Sequence, residues 1–398
     1  MPKGRWLWKI GLVAGSILTL AVAIEITLRL LPPSVLSPYP PPPRDKRIGY
    51  RPDRFVLRRH IPNFHGLNTN REGEFRVAYT TNSLGFRDKP RKISKSPDVK
   101  RIIVMSDSLG EGLQVPLEQT FCQRLEAKLN SLGQPWRYEV WNTGVSGLCT
   151  LVHYIFLKRF GLKFCPDMVI MTMIPVYIER DQLYRKWCKF SAGGEPLACT
   201  HPLLQAPAHA HGGQNGFGGW LVRHSRAVKF VWLRLKKLAD YIQKRGTGEF
   251  YKGQDPESAA AYRFTNSIIL RIHRLCQAQS IPLLVVFIPV APQVTGEKIT
   301  FPYPTDYTHH RPQEIIGQFC REHQIPFLDL LKPFCASKVH PLFFPVDRHF
   351  TAAGHRLAAR AIMDYLLAHP GLFLERPPRV CRPRPQASSR VAGSKGAK

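Results

Sequence analysis

Short apolar runs typical of buried strands alternate with helical stretches along most of this chain. The predicted strands are Arg101–Met105, Tyr138–Trp141, Met168–Met173, Pro282–Ile288 and Pro326–Asp329. The predicted helices span residues 118–132, 149–160, 258–278, 312–323 and 351–369. Strand and helix repeated in this order predict a parallel sheet covered on both faces, which is a three-layer doubly wound α/β fold. Such sheets bind ligands beyond the carboxyl ends of their strands.

Four segments lie outside this alternation. Residues 47–100 contain short alternating pieces and a turn signal, which predict a small β-rich lead-in packed on the main domain at 101–375. The insertion at 178–257 is too long for a simple crossover and carries a basic amphipathic stretch, so we expect a partly helical lid or partner surface; a solvated loop is the alternative. A proline-rich linker is predicted at 32–46 and a disordered basic tail at 376–398.

The N-terminal residues 1–31 have the pattern of a membrane-targeting segment. Three basic residues among the first nine precede an uncharged apolar run at 10–24. The apolar character continues past a possible cleavage site at Ala21–Ala23 as far as Leu31, which favours an uncleaved signal anchor over a cleaved signal peptide. An interfacial amphipathic helix is a further alternative, because Glu25 and Arg29 share one face. We expect a single-pass membrane protein whose main domain lies outside the cytoplasm, in a bacterial periplasm.

The charge of the chain is strongly positive. Lys and Arg total 57 against 28 Asp and Glu, which gives a formal net charge of +29 and favours anionic surroundings. The basic residues are spread along the chain and no nucleic-acid motif accompanies them, so we expect a membrane surface or an acidic glycan as partner rather than nucleic acid.

Nine cysteines without a paired C-x-x-C pattern predict no zinc site, and no metal is expected. Cys188 with Cys199, and Cys320 with Cys335, are spaced for disulfides if the compartment is oxidising. Buried unpaired thiols are the alternative.

Two distant segments supply the residue types of a serine nucleophile with its base. Ser106-Asp107-Ser108 directly follows the first strand, and Asp347-Arg348-His349 directly precedes the last helix. A histidine oriented by a carboxylate can take the proton of a serine during attack on an ester. This pattern predicts Ser108 as nucleophile, His349 as base and Asp347 as the acid that orients it.

These segments resemble blocks of the SGNH/GDSL hydrolase superfamily, in its membrane-anchored bacterial branch. Ser106-Asp107-Ser108 resembles the first block, with serine where the family has glycine, and Asn142-Thr143-Gly144-Val145-Ser146-Gly147 resembles the second. The resemblance implies a flavodoxin-like sheet, an oxyanion hole formed by the backbone N–H groups of Ser108 and Gly147, and supporting roles for Asp107 and Asn142. Alternatively, the glycines of the second block only form a tight turn.

The third block departs from the family pattern. Where the family has a glycine-x-asparagine-aspartate loop, this chain has Ile174-Pro175-Val176-Tyr177-Ile178, so the oxyanion asparagine is missing. Tyr177 is a weak candidate for the missing donor, and a packed aromatic ring is the alternative.

The resemblance implies an esterase that acts on an acyl group, often acetyl, of a carbohydrate or lipid without a cofactor. Two other functions are compatible with the same residues. One is an O-acyltransferase that modifies envelope polysaccharide or exopolysaccharide. The other is a non-catalytic binding or assembly protein with a degenerate site.

Overall fold

A computed structural model describes residues 4–31, 45–200, 224–244, 255–297 and 310–380 of the chain. Most of the predicted linker and the tail from residue 381 lie outside these residues, as do parts of the insertion. The strands are β1 Tyr50–Asp53, β2 Leu57–His60, β3 His65–Thr69, β4 Arg76–Thr80, β5 Val99–Met105, β6 Arg137–Asn142, β7 Met168–Met173, β8 Cys188–Phe190, β9 Pro196–Cys199, β10 Leu283–Phe287 and β11 Phe327–Asp329. The α-helices are α1 Gly4–Leu30, α2 Ser108–Glu111, α3 Phe121–Asn130, α4 Thr150–Arg159, α5 Val176–Arg185, α6 Arg226–Lys244, α7 Pro256–Gln277, α8 Ala291–Thr295, α9 Arg311–Glu322, α10 Leu331–Cys335 and α11 Ala352–Ala368.

The predicted parallel sheet is confirmed. Five strands pair in the order β11-β10-β7-β5-β6, and every pair is parallel. All residues of β5, β7 and β10 are buried, because helices cover both faces. Helices α3 and α11 pack together on one face, and α4 packs against α7 on the other, which makes three layers.

The strand order determines where a ligand crevice forms. Counted along the chain, the five strands run 2-1-3-4-5 across the sheet, which is the flavodoxin-like order. The chain winds in opposite directions on the two sides of β5, so the connections leaving β5 and β7 diverge and open a crevice at their carboxyl ends. Ser108 lies three residues beyond the end of β5, at this crevice.

The lead-in forms two antiparallel hairpins, β1 with β2 and β3 with β4. It packs on the main domain through buried side chains, including His60 and Tyr79. An isolated bridge also joins Val56 to Cys199, so the lead-in contacts the start of the insertion.

The insertion has three described elements. The insertion was predicted to start at residue 178, but helix α5 runs through this position. Its residues Tyr177, Ile178 and Asp181 are buried in the core. The hairpin β8–β9 follows and is closed by a disulfide between Cys188 and Cys199. The third element, α6, contacts α1. A lid over the crevice remains a prediction.

Helix α1 is long and apolar enough to cross a membrane. Its segment Gly11–Leu30 has a mean hydropathy of 2.0 and none of it is buried against the rest of the protein. A cleaved signal sequence would meet the same criterion of length and hydropathy.

Two further predictions can be compared with the described residues. Cys320 and Cys335 are unpaired, so the second candidate disulfide is wrong; Cys320 is buried inside α9 while Cys335 is exposed. The first residues of the predicted tail are docked on the domain, because the Arg379 N–H donates to Asp167.

Candidate active site

The nucleophile candidate lies at a sharp transition from strand to helix. Strand β5 ends at Met105, and α2 begins at Ser108. The Asp107 carboxylate caps this helix by accepting from the Leu109 N–H at 3.1 Å. Ser106, Asp107 and Leu109 are buried whereas Ser108 is partly exposed, so the backbone is held rigidly while the serine side chain reaches the surface.

The base candidate lies in the loop before α11. Thr351 caps that helix through its side chain. The lead-in holds the loop from the other side, because the Glu74 carboxylate accepts from the N–H groups of Val346 at 2.8 Å and Asp347 at 2.9 Å. The loop is therefore fixed by a cap and by a carboxylate from the β3–β4 turn.

The structure brings the three predicted residues together. His349 Nε2 lies 2.8 Å from Ser108 Oγ, and His349 Nδ1 lies 2.6 Å from Asp347 Oδ1. A carboxylate only accepts, so the bond to Asp347 places the ring proton on Nδ1 and leaves Nε2 to accept from the serine hydroxyl. This is the hydrogen-bonding order of a serine nucleophile, its base and an orienting acid.

The environment of His349 affects its proton affinity in two directions. Burial lowers the pKa of the imidazole, but the hydrogen bond to Asp347 and the charge of that carboxylate raise the pKa more. The pKa of His349 therefore lies above the ordinary histidine value. A raised pKa makes the ring a stronger base toward Ser108 once it is neutral.

The second block forms a turn beside the nucleophile. Gly147 has φ +80°, a left-handed conformation that favours glycine. Its carbonyl accepts from the Tyr184 hydroxyl at 2.8 Å. Among the described residues, the N–H groups of Ser108 and Gly147 donate to no acceptor, so both are available to a substrate oxygen.

Asn142 supports this turn from within the core. Its side-chain amide donates to the Gly110 carbonyl at 3.0 Å, and its carbonyl oxygen accepts from the Gly144 N–H at 3.0 Å. The asparagine thus ties the second block to the nucleophile helix.

The serine that replaces the family's glycine points inward. Ser106 is fully buried and its hydroxyl accepts from Thr172 Oγ1 at 2.7 Å. Its backbone does not take a positive φ, so serine fits the turn without strain. A Cβ placed on Gly110 would come within 2.1 Å of Ser106 Oγ, so the glycine one helical turn later makes room for the serine.

Tyr177 lies inside the protein. Its side chain is fully buried and its ring packs against His153 with 5.6 Å between the ring centroids. Burial raises the pKa of the phenol well above its usual value. This enclosure favours the packing interpretation over an oxyanion role.

A buried carboxylate missed by the sequence analysis links the lead-in to both blocks. Glu111, the last residue of α2, accepts from Tyr50 Oη at 2.6 Å and from the Ser146 N–H at 2.8 Å. His60 Nε2 lies 2.7 Å from the same carboxylate. Burial raises the pKa of Glu111, but His60 and these hydrogen bonds lower it more, so the pKa is below its usual value. A single Glu within a loop-like stretch gives no sequence signal of this role.

Two arginines also border the site without having been predicted. Arg58 donates to the Ser146 carbonyl, and its guanidinium stacks over the Tyr50 ring at 4.6 Å. Arg180 lies 3.1 Å from the Asp107 carboxylate and donates to the Leu148 carbonyl. Their roles depend on contacts across the fold, which a helical or strand pattern cannot indicate.

His355, three residues into α11, is a core residue. It is buried, its Nδ1 accepts from the Phe121 N–H at 3.2 Å, and burial lowers its pKa to about 3. Among the described residues no group of three His, Cys, Asp or Glu side chains is arranged to hold a metal ion.

Residues 247–395 match the family described as SGNH hydrolase-like domain, acetyltransferase AlgX. No curated protein matches the sequence.

Several solved structures have a similar backbone. One is TesA, at 12% identity and a TM-score of 0.37, with 67% of this chain and 98% of that chain covered. Another is the acetyl xylan esterase AlAXEase, at 17% identity and a TM-score of 0.35, with 66% and 98% covered. A third is a catalytic mutant of Axe2, an acetylxylan esterase from Geobacillus stearothermophilus, at 11% identity and a TM-score of 0.37, with 67% and 94% covered. At these TM-scores the fold assignment rests on the strand order rather than on the neighbours.

The family match contains the block with His349, and the flavodoxin-like strand order brings that block to the Ser108 segment. Residues 247–395 are therefore similar to an SGNH hydrolase-like domain, and the whole sheet has the flavodoxin-like strand order.

Proposed function

We propose that this protein is a membrane-anchored serine esterase that cleaves acyl esters, acetyl esters above all, through an acyl-enzyme on Ser108. The hydrogen-bonded chain from Ser108 through His349 to Asp347 is the observation that carries the proposal. No other arrangement of nucleophile and base that we find among the described residues is both partly exposed and at the crevice.

In the first half of the reaction, His349 Nε2 takes the proton of the Ser108 hydroxyl as the oxygen attacks the ester carbonyl carbon. The tetrahedral oxyanion accepts from the N–H groups of Ser108 and Gly147. The bond to the leaving alkoxide then breaks, and His349 returns its proton to that oxygen. Asp347 stabilises the imidazolium that exists between these two transfers.

In the second half, His349 takes a proton from water as the water oxygen attacks the acyl carbon. The carboxylic acid leaves when the bond to Ser108 Oγ breaks and His349 protonates the serine. The asparagine of the third block, which would be a third oxyanion donor, is absent from this chain. Loss of one oxyanion donor typically lowers turnover about 10²- to 10³-fold, so we expect slow turnover.

The match to an acetyltransferase family favours a second candidate, O-acyl transfer to a polysaccharide. Transfer differs only in the acceptor, a sugar hydroxyl in place of water. The net charge of +29 suits an anionic glycan as acceptor.

The proposed location is the outer face of a bacterial inner membrane, with α1 retained as the anchor. Two observations support it. The disulfide between Cys188 and Cys199 suits an oxidising compartment. The segment Gly11–Leu30 stays apolar past the possible cleavage site at Ala21–Ala23, where a cleaved precursor usually turns polar.

The test is labelling of the full-length protein with a fluorophosphonate probe, together with hydrolysis of a short-chain aryl acetate. We expect labelling and hydrolysis to disappear in Ser108→Ala and to fall at least 10²-fold in His349→Ala. The matched control is Ser131→Ala, an exposed serine whose hydroxyl bonds only within its own helix end. Equal labelling of all four proteins would favour the non-catalytic binding or assembly function instead.

Esterase and transferase are separated by the fate of the acetyl group. Adding an unacetylated anionic polysaccharide to the aryl acetate assay leaves an esterase producing acetate. A transferase instead moves acetyl groups to the glycan, which mass spectrometry detects, and Ser108→Ala abolishes both products.

A further inference from the structure

The basic helix α6 is joined to the end of α1 by reciprocal capping. The Glu25 carboxylate of α1 accepts from Ser225 Oγ at 2.8 Å and from the N–H groups of Arg226 and Ala227 at 3.0 Å each. These N–H groups belong to the first turn of α6, which has no acceptor within the helix itself. The anchor therefore caps α6.

The reverse contact comes from α6. Arg226 Nη1 donates to the carbonyl oxygens of Leu28 at 3.1 Å, Arg29 at 2.9 Å and Leu31 at 3.1 Å. The carbonyls of Leu28 and Arg29 belong to the last turn of α1, where they have no donor within the helix, and Leu31 directly follows the helix. Each helix thus satisfies the end of the other, and α6 begins at the level where the apolar segment Gly11–Leu30 ends.

Helix α6 exposes an apolar strip next to basic side chains. Val231 is 54% exposed, Trp232 40% and Leu235 59%. Lys229 and Arg234 are exposed beside them. Along the whole helix the sequence has six basic residues and one acidic residue: Arg226, Lys229, Arg234, Lys236, Lys237 and Lys244, with Asp240.

The apolar strip, the basic side chains beside it and the position of α6 next to the end of α1 all fit the surface of a membrane. Amphipathic helices with these features lie in the interface of a bilayer and are attracted to anionic headgroups. A helix that starts where the anchor leaves the hydrocarbon is already at that interface. The site for the proposed acyl transfer does not need this helix, since none of its residues belongs to α6.

We propose that α6 lies on the surface of the membrane that α1 spans, with Val231, Trp232 and Leu235 in the interface and Lys229 and Arg234 on anionic phospholipid headgroups. The proposal rests on the anchoring part of the proposed function and is independent of its chemistry. In this proposal α6 is a second membrane attachment rather than a lid over the crevice. Two attachments limit the rotation of the main domain about the linker.

Hydrogen exchange of the full-length protein in lipid nanodiscs, one copy per disc, tests the proposal. Discs contain phosphatidylcholine alone or mixed with phosphatidylglycerol. A solvated helix joined to the protein at one end exchanges rapidly, whereas an interfacial helix is protected. We expect exchange over residues 226–244 to slow more than about tenfold when phosphatidylglycerol is present, and high salt to reverse part of the effect.

Charge reversal provides the matched variants. Lys229→Glu with Arg234→Glu is expected to return exchange in phosphatidylglycerol discs to the rate in phosphatidylcholine. Lys128→Glu with Lys186→Glu makes the same change in net charge at exposed positions of the main domain and is expected to leave α6 protected.

Protection that is equal in both lipids, or unaffected by the α6 reversal, would overturn the proposal and favour α6 packing on the protein as a lid. Protection seen only with two copies per disc would assign the strip to a second copy instead. Aryl acetate hydrolysis in the same discs is measured separately, so an inactive triad with a protected α6 would refute the esterase and leave this inference standing.

Discussion

Gly110 and Ser106 are expected to depend on each other. In Gly110→Ala, the new Cβ would lie 2.1 Å from Ser106 Oγ and 2.3 Å from Ser106 Cβ. Distances this short do not occur between unbonded atoms, and Ser106 is fully buried, so the short helix α2 must shift. Overpacking of this kind costs about 1–3 kcal/mol of unfolding free energy. Because Ser108 begins the same helix, ester hydrolysis falls as well.

Ser106→Gly restores the family's glycine and removes both colliding atoms. Alone it deprives the Thr172 hydroxyl of an acceptor and loosens the backbone, which we expect to cost about 1–2 kcal/mol. In the double variant the alanine methyl occupies the vacated space, and its next neighbour, Phe121, lies at an ordinary contact distance of 3.5 Å. The double variant should therefore be more stable than Gly110→Ala alone.

Urea unfolding of the four proteins measures this coupling as a double-mutant cycle. We expect an interaction energy of at least about 1 kcal/mol in favour of the double variant, with recovery of aryl acetate hydrolysis relative to Gly110→Ala. Additive free energies, within about 0.5 kcal/mol, would show that the two side chains do not compete for this space and would refute the reasoning.

Four further predictions concern the site. The rate of ester hydrolysis should rise with pH through a midpoint above the ordinary histidine value of about 6.5, because His349 acts only when neutral and its pKa is raised. Asp347→Asn should lower that midpoint and reduce the rate more than about 10²-fold; a pH profile with an unmoved midpoint would contradict the role of the acid. Glu111→Gln should lower the unfolding free energy by about 2 kcal/mol, since a buried carboxylate that accepts several hydrogen bonds is lost, whereas the exposed Glu118→Gln should change it by less than about 0.5 kcal/mol. Folding lowers the pKa of Glu111, so this carboxylate stabilises the protein above the unfolded pKa of about 4.3. The stabilisation is lost as the pH falls through the folded pKa. The unfolding free energies of Glu111→Gln and Glu118→Gln should therefore differ less in acid than at neutral pH. Arg58→Ala should reduce kcat about tenfold with a smaller change in KM, because the turn after β6 loses the hydrogen bond to its Ser146 carbonyl. A tenfold rise of KM with an unchanged kcat would indicate instead that Arg58 binds the substrate.

Local pattern was sufficient to predict the elements of the sheet. The strand at Met168–Met173 has the predicted bounds, and β5 and β10 differ from prediction by one or two residues. Runs of apolar residues and helical periods are properties of neighbouring positions, so they can be read without knowledge of the fold. For the same reason the position of Ser108 just after a strand was predictable.

What the sequence determined by itself is the set of strands and helices, the place of Ser108 after β5 and of His349 before α11, and the apolar N-terminal segment. Tertiary structure decided the contacts between distant positions. The strand order 2-1-3-4-5 brings His349 to Ser108 across 241 residues, the lead-in supplies Glu74 to the loop that carries His349, and α6 contacts α1. The physical reason is that periodicity reports which face of an element is buried, whereas the partner of that face is selected by packing and by the pairing of polar groups across the whole chain.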